Sequence, residues 1–243
     1  MSFKEKVLFT AQLLFLSSAS AFAGPGGLIA KAAIKNPFVL ILLSLITLIL
    51  SPIIVYRYLR KRVKINKTKK DLELIASYNK NFDLFFLNQR VRDVFGRVHS
   101  AWKKEDMSEA SEWMSDWYWQ NQQIVYIQQW QAEGLVNKCT VERIMKIDPL
   151  YVYLSDENNN NNSRIVFSIV AYMEDYLMNK KTGKIVQGDK GFDEVETYWT
   201  LVLANNKWVL SLIEEPSADY FKMPNKVFNI SEPAFALTKT RLS

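Results

Sequence analysis

The strongest constraint on this chain is the apolar segment at residues 38–56, FVLILLSLITLILSPIIVY, which contains 19 residues and no charge. A helix needs about 20 apolar residues to cross the roughly 30 Å hydrocarbon core of a bilayer, so the segment predicts a transmembrane helix. Its polar side chains are short hydroxyls that can bond back to the helix. The segment contains no charged side chain that could form part of an ion path, so we interpret it as an anchor.

A basic stem and linker is predicted at residues 57–80, directly after the apolar segment. Cationic side chains near an anionic leaflet each contribute about 1 kcal/mol of attraction, which predicts contact with membrane lipids. The alternative is a stop-transfer signal followed by a solvated linker. The candidate lipid-contact residues are Arg57, Arg60, Lys61, Arg62, Lys64, Lys67, Lys69 and Lys70.

The N-terminal residues 1–23 have the pattern of a secretory signal peptide, with Lys4 and Lys6 before a short apolar run that ends in small residues. The alternative is an uncleaved first membrane helix. In either case residues 24–37 form an external loop with two lysines, whereas residues 57–70 carry eight bases. The positive-inside rule then places the C-terminal domain in the cytoplasm.

The net charge of +6 is divided unevenly along the chain. Residues 1–70 have a net charge of +11, and residues 71–243 have one of −5. A mildly acidic folded domain argues against nucleic acid as a partner, because phosphate binding requires clustered Lys and Arg. Cys139 is the only cysteine, so an intramolecular disulfide is excluded, and we predict neither a metal site nor a cofactor.

The remaining chain predicts an α+β domain, with three helices packed on one face of a curved antiparallel sheet. Apolar residues at helical spacing predict helices at about 81–104, 106–117 and 119–132. After Gly134 the apolar period changes to two, which predicts strands at 141–147, 151–154, 164–177, 194–204 and 207–214. Turns are predicted at Asp148-Pro149, Lys180–Gly183, Gly188–Gly191 and Asn205-Asn206. Residues 216–243 have little periodicity and predict a loosely packed tail.

The last predicted hairpin carries a resemblance to a known family. Glu196–Leu201 and Lys207–Ile213 resemble the end of Tim44-like domains, in which an acidic-aromatic strand reaches a Trp before a turn and a Trp-apolar strand. Ala101-Trp102, Gly134–Asn137 and Gly183–Gly188 are also similar to that family, and the similarity covers about residues 81–215. The resemblance implies a nuclear-transport-factor-two-like cone with a concave apolar pocket. It also implies a peripheral or anchored role at an inner membrane, in protein traffic or assembly. Together with the signal pattern and the apolar segment, this predicts a bacterial inner-membrane protein that spans the membrane once after signal cleavage.

The dense aromatic side chains have two interpretations. They either fill the core of the cone or line a mouth for a lipid tail or an apolar peptide. Core packing is the simpler interpretation, since large rings dominate the energetics of burial. The candidate pocket-lining residues are Trp102, Trp117, Trp130, Trp199 and Trp208.

Catalytic groups are sparse in this sequence. His99 is the only histidine, and we interpret it as a surface or boundary residue. A single inward carboxylate on the sheet could act as a general base, although a solvated sheet edge explains such residues more simply. The candidates are Glu174, Asp175, Glu194 and Glu196. No phosphate loop, nucleophile elbow or HExxH motif occurs, so we predict no enzyme and assign no catalytic residue.

The sequence therefore predicts a membrane-anchored, non-enzymatic binding or scaffold module. Its expected partners are membrane lipids and an unidentified membrane protein or peptide. One alternative is a component of a type IV secretion apparatus, with a cone-like domain outside the membrane. Another is a small-molecule isomerase or hydrolase on the same fold.

Overall fold

A computed structural model of the protein describes residues 37–227. The chain divides into two compact units, Met1–Tyr58 and Leu59–Ser243. The signal peptide or first membrane helix predicted at residues 1–23 lies outside the described residues. So do almost all of the predicted external loop and the part of the predicted tail after residue 227.

Helix α1 (Pro37–Ala76) begins in the first unit and ends in the second. Large apolar side chains within residues 38–56 are exposed, from 42% at Ile46 to 81% at Phe38. Among residues 37–227, no helix combines the length and the hydropathy needed to cross a membrane. The transmembrane helix predicted at residues 38–56 stays a prediction.

Helix α2 (Leu84–Lys104) is the longest helix that lies wholly within the described part of the second unit, and it confirms the helix predicted at 81–104. The Asp83 carboxylate caps it by accepting hydrogen bonds from the backbone N–H groups of Phe85 and Phe86, at 2.9 and 3.3 Å. Such a cap satisfies donors that have no partner within the helix.

The other predicted helices are irregular. The helix predicted at 106–117 is replaced by a 3₁₀ helix at Met107–Trp113. It ends before Met114, whose backbone is extended and pairs with Leu210, and an α-helix begins at Asp116. The third predicted helix is interrupted by a π-helical segment. In order, the remaining segments are a 3₁₀ turn at Lys80–Phe82, α3 (Asp116–Asn121), the π-helical Gln122–Gln128, α4 (Gln129–Ala132), a 3₁₀ turn at Asn158–Asn160 and α5 (Asp219–Lys222).

Four antiparallel strands form a meander in the order β1-β2-β3-β4. They are β1 (Leu135–Tyr153), β2 (Arg164–Asn179), β3 (Ile185–Ala204) and β4 (Lys207–Glu214). The predicted turns at Lys180–Gly183 and Asn205-Asn206 are confirmed. Gly183, Asn205 and Asn206 have φ of 69°, 50° and 62°, which suits the residue types that tolerate left-handed backbone.

Two other predicted turns are wrong, because the strands continue through them. Asp148-Pro149 lies inside β1, where the register with β2 shifts between Pro149 and Tyr151. Gly188–Gly191 lies inside β3. Gly188 has φ of 76°, and a Cβ added there would lie 2.6 Å from the carbonyl oxygen of Asp175 on β2. This glycine therefore allows a close approach of two strands rather than a reversal of the chain.

Both faces of the sheet are covered in the second unit, so the expectation of helices on one face is wrong. Phe167 and Trp199 belong to the main core with α2, whereas Val166 and Tyr198, one position away, pack with Ile65 of α1. The run Arg164–Ala171 is nearly continuous in apolar residues, which is typical of a strand buried on both faces.

The second-unit part of α1 is an integral part of the domain rather than a stem and linker. Ile65, Leu72 and Ile75 are exposed by only 4%, 0% and 2%. Buried apolar side chains alternate with basic residues in this segment, and the basic residues favoured the wrong interpretation of it as a stem and linker. The boundary predicted at residue 81 is therefore too late.

The described part of the tail, residues 216–227, is also packed, contrary to the prediction. Val227 is fully buried, and Tyr220 contacts Tyr198 with ring centroids 5.7 Å apart. Asn225 is buried and donates hydrogen bonds to Thr68 and Asp71 of α1, at 3.0 and 2.7 Å. These long-range polar contacts leave no periodic signal in the sequence.

Replacing a buried leucine of α1 tests whether this segment belongs to the folded domain. We expect Leu72→Ala to lower the free energy of unfolding by about 2–5 kcal/mol, because it leaves a cavity in the core. The control Leu74→Ala, at a side chain that is 40% exposed, should change it by less than about 0.5 kcal/mol. Urea unfolding of the full chain in mild detergent measures both. Equal effects of the two substitutions would show that residues 59–76 are a solvated linker.

Candidate functional site

An aromatic stack fills the space between α2 and the sheet. The His99 ring lies 4.1 Å from the Phe95 ring and 5.7 Å from the Trp199 ring, measured between centroids, and is stacked on both. Phe95 and Trp199 are themselves 4.9 Å apart. Trp199 is only 1% exposed. Rings at these separations contribute packing energy and leave little space for a ligand.

His99 is buried and held neutral, so its interpretation as a surface or boundary residue is wrong. Its Nδ1 donates a hydrogen bond of 3.0 Å to the Phe95 carbonyl, which fixes the proton on that nitrogen. Desolvation lowers the pKa of His99 to about 4, although the backbone hydrogen bond opposes the shift. A neutral histidine in an aromatic stack is a packing residue at physiological pH.

The candidate pocket-lining tryptophans are not brought together in one cavity. Trp199 and Trp208 are buried in the core, whereas Trp102 and Trp130 pack against its edge and are half-buried. Trp117 is 68% exposed. Their positions favour core packing for most of these rings, and Trp208 also lines a cleft.

Three of the four candidate carboxylates have a local structural setting, and the fourth, Glu194, is exposed. Glu196 accepts hydrogen bonds from Lys61 and Ser168, and Glu174 accepts one of 2.8 Å from the backbone N–H of Gly191. Desolvation raises the pKa of Asp175, and a hydrogen bond from Asn137 opposes this. Among residues 37–227, no group of three or more His, Cys, Asp or Glu side chains is arranged to hold a metal ion.

Part of the predicted lipid-contact set is used inside the domain. Lys61 pairs with Glu196, and Lys69 lies 3.5 Å from the buried Asp148. Lys64 is buried and donates hydrogen bonds to the Met223 carbonyl and to Asn225, at 2.5 and 2.6 Å. Desolvation, together with repulsion from Lys67, lowers the pKa of Lys64 to about 8.

Lys64 and its neighbours therefore join α1 to the tail. The exposed members of the predicted set are Arg57, Arg60, Arg62, Lys67 and Lys70.

A cleft of about 520 Å³ lies at the N-terminal end of α2, and we call it the aromatic-basic cleft. Three parts of the chain form it: residues 80–90, the end of the 3₁₀ helix at residues 112–113, and the β3–β4 turn at residues 206–208. Its lining residues are Lys80, Asn81, Phe86, Leu87, Arg90, Glu112, Trp113, Asn206, Lys207 and Trp208. Volumes of this order are typical of binding pockets.

Hydrogen bonds fix the walls of the aromatic-basic cleft. The Trp208 indole N–H donates to the Asn81 carbonyl at 2.7 Å, and its ring meets Phe82 edge-on at 5.2 Å. The Asn81 side-chain amide donates to the Asn206 side chain at 3.4 Å. These contacts hold the β3–β4 turn against the start of α2.

Arg90 is the most constrained cation of the cleft. Its guanidinium carbon lies 4.0 Å from the centroid of the Trp113 ring, and its Nε donates a 2.7 Å hydrogen bond to the Trp208 carbonyl. Desolvation lowers the pKa of Arg90, while Asp93 opposes the shift. An arginine held on an aromatic face by one nitrogen presents the others in a fixed geometry, which favours recognition of a planar anion.

Sequence reasoning missed this cleft. Trp113 and Arg90 each fit a helical or boundary pattern, and nothing in their spacing indicates that their side chains stack. The only available signal was the alternation of basic and aromatic residues near the predicted start of the first helix. This alternation indicates a cleft only when the fold is known, because the lining comes from three segments that are distant in sequence.

The geometry defines an α+β domain with a filled interior and a surface cleft, and comparison with known proteins supplies the family. The model of the Tim44-like domain matches residues 68–215, so this chain belongs to the Tim44-like domain family. The match begins within α1, in agreement with the burial of Leu72. Domains of this family are generally non-catalytic binding or scaffold modules and are associated with membrane-associated translocation or scaffold roles.

Other comparisons add little. No curated protein matches the sequence. Among solved structures, the fold is similar to the crystal structure of the intermembrane space region of chloroplast protein ARC6. The identity is 9%, the TM-score is 0.39, and the alignment covers 53% of this chain and 96% of that one.

The burial of His99 predicts a specific pH dependence of stability. The pKa is about 4 in the folded state and about 6.5 in the unfolded state, so between these values the unfolded state binds a proton that the folded state does not. This lowers stability as the pH falls below about 6.5, by up to about 1.4 kcal/mol per pH unit. Above about pH 7 the penalty is absent.

The variant His99→Phe keeps the aromatic stack and removes the titrating group. We expect its free energy of unfolding to fall less steeply than that of the wild type between pH 6.5 and 4, as measured by urea unfolding. Parallel curves for the two proteins would contradict the assignment of a buried neutral imidazole.

Proposed function

We propose that this chain is a membrane-anchored, non-catalytic binding or scaffold module at the cytoplasmic face of a bacterial inner membrane, acting in membrane-protein traffic or assembly. The observation that carries this proposal is the order of two parts along the chain. An uncharged helical segment with exposed apolar side chains at residues 38–56 is followed by the Tim44-like domain at residues 68–215. The membrane-associated roles of the family support the same assignment.

The anchor is supported by the exposed apolar surface of residues 38–56. Contiguous apolar surface of this extent is rare on proteins surrounded by water, and its burial in lipid contributes about 25 cal/mol per Å². Pro52 lies within this helical segment, and membrane helices tolerate proline. We propose that this segment forms a single-pass anchor.

Orientation is supported by the basic residues that follow the apolar segment. Eight Lys and Arg at residues 57–70 exceed the two lysines at 24–37, which favours retention of the basic side in the cytoplasm. Contact with anionic headgroups is assigned to the exposed members, such as Arg57, Lys67 and Lys70. Lys61 pairs with Glu196 and Lys64 bonds to Asn225, so we do not assign headgroup contact to these two lysines.

A non-catalytic role is supported by the settings of the titratable groups. His99 is neutral within an aromatic stack, and Glu196 is engaged by Lys61 and Ser168. We further assign the domain to the nuclear-transport-factor-two-like cones, on the basis of its helices and its four-stranded antiparallel meander. In this protein the interior of the cone serves stability, and binding is assigned to the outer surface.

Topology mapping tests the membrane assignment and separates it from a type IV secretion role. We expect a fluorescent protein that matures only in the cytoplasm to fluoresce when fused after Ser243. Alkaline phosphatase, which is active only after export, should stay inactive at the same position. Deletion of residues 38–56 is the control and should release the fusion from the membrane fraction. An active phosphatase fusion would place the domain outside and contradict the proposal.

Proximity labelling in native membranes tests the binding role. A biotin ligase fused after Ser243 should enrich specific membrane proteins over a control in which the ligase follows residue 70 directly. Any difference between the two sets of labelled proteins is then due to the domain, since both fusions keep the apolar segment. Identical labelled sets would show that the domain holds no protein partner.

A further inference from the structure

We propose that the aromatic-basic cleft binds an acidic peptide segment of a partner protein, with a carboxylate against Arg90 and a large apolar side chain beside Phe86 and Trp113. The inference rests on the proposed binding function and names the chemistry of the partner. It goes beyond the family assignment, since nothing in the family match identifies this cleft.

Charge complementarity is the first argument. The lining contains three cations, Lys80, Arg90 and Lys207, and one carboxylate, Glu112. Lys80 and Lys207 are exposed, and neither takes part in the ion pairs found within residues 37–227. The second unit, residues 59–243, is close to neutral, with 26 Lys and Arg against 24 Asp and Glu, so a cleft lined by three cations and one carboxylate is basic in contrast with the domain around it. Such a contrast attracts an anionic partner and repels a basic one.

The geometry of Arg90 is the second argument. Its planar group is held on the Trp113 ring at 4.0 Å, and only Nε is used in bonding to the Trp208 carbonyl. A guanidinium fixed in this way can bind a carboxylate through two parallel hydrogen bonds. Little side-chain freedom remains to be lost on binding, since the group is already positioned.

The apolar and amide groups of the cleft favour a peptide over a simple anion. Phe86 lines the cleft and is 58% exposed, and the adjacent Phe85 meets it edge-on at 5.6 Å between ring centroids. Exposed large apolar side chains at one site are typical of protein-binding surfaces. The side-chain amides of Asn81 and Asn206 both donate and accept hydrogen bonds, as peptide groups do.

Peptide binding to the full chain in detergent tests the proposal. The probe is a fluorescein-labelled peptide of alternating glutamate and phenylalanine, and the matched peptide has glutamine in place of glutamate. The double variant Lys80→Glu/Lys207→Glu reverses two exposed charges of the cleft. Its control is Lys184→Glu/Lys190→Glu, which makes the same change in net charge at exposed positions outside the cleft lining.

We expect the cleft variant to bind the acidic peptide about tenfold more weakly than the wild type, with the control variant within about twofold. The glutamine peptide should bind the wild type about tenfold more weakly than the acidic peptide does, and added salt should weaken only the acidic peptide. Phe86→Ala should weaken binding more than Phe85→Ala, since only Phe86 lines the cleft. Unchanged thermal unfolding of each variant serves as the folding control.

Four results would overturn the proposal. The first is equal affinity of the cleft and control variants for the acidic peptide, and the second is equal affinity of the wild type for the two peptides. The third is loss of binding to phosphatidylglycerol vesicles in the cleft variant without any binding of the peptide, which would assign the cleft to lipid. If proximity labelling gives the same partners for wild type and cleft variant, the binding function holds and the cleft proposal fails.

Discussion

The packing of Trp199 against α2 is the interaction on which the rest of the domain depends. Trp199 lies in the middle of the sheet, and Phe95 and His99 cover it from one helix. This stack packs α2 against one face of the sheet and occupies the space between them. Because rings and a neutral imidazole pack there, we assign binding to the surface of the domain rather than to its interior.

A second set of contacts joins α1 to the described part of the tail. Lys64 and Asn225 bond to each other at 2.6 Å, and Asn225 also bonds to Thr68 and Asp71. Buried polar groups are costly unless each finds a partner, so this network favours one specific arrangement of α1 and the tail. The residues that look like a charged stem in sequence are therefore partly structural.

The sequence predicts the regular parts of this fold and fails where contacts are long-range. The helix α2 and the Asn205-Asn206 hairpin are predicted correctly, because both depend on residues that are close in sequence. Gly188 was misread as a turn, since only the closeness of β2 explains its conformation. The stacking of Arg90 on Trp113 could not be predicted, because the 3₁₀ helix that presents Trp113 replaces an expected α-helix.

We infer that this domain binds through the aromatic-basic cleft while its interior stays closed. Hydrogen–deuterium exchange of the full chain, with and without the acidic peptide, tests it most directly. We expect slower exchange at residues 80–90 and 206–208 on binding, with no change at residues 99–102 and 195–199. Protection centred on His99 and Trp199, with none around Arg90, would contradict it.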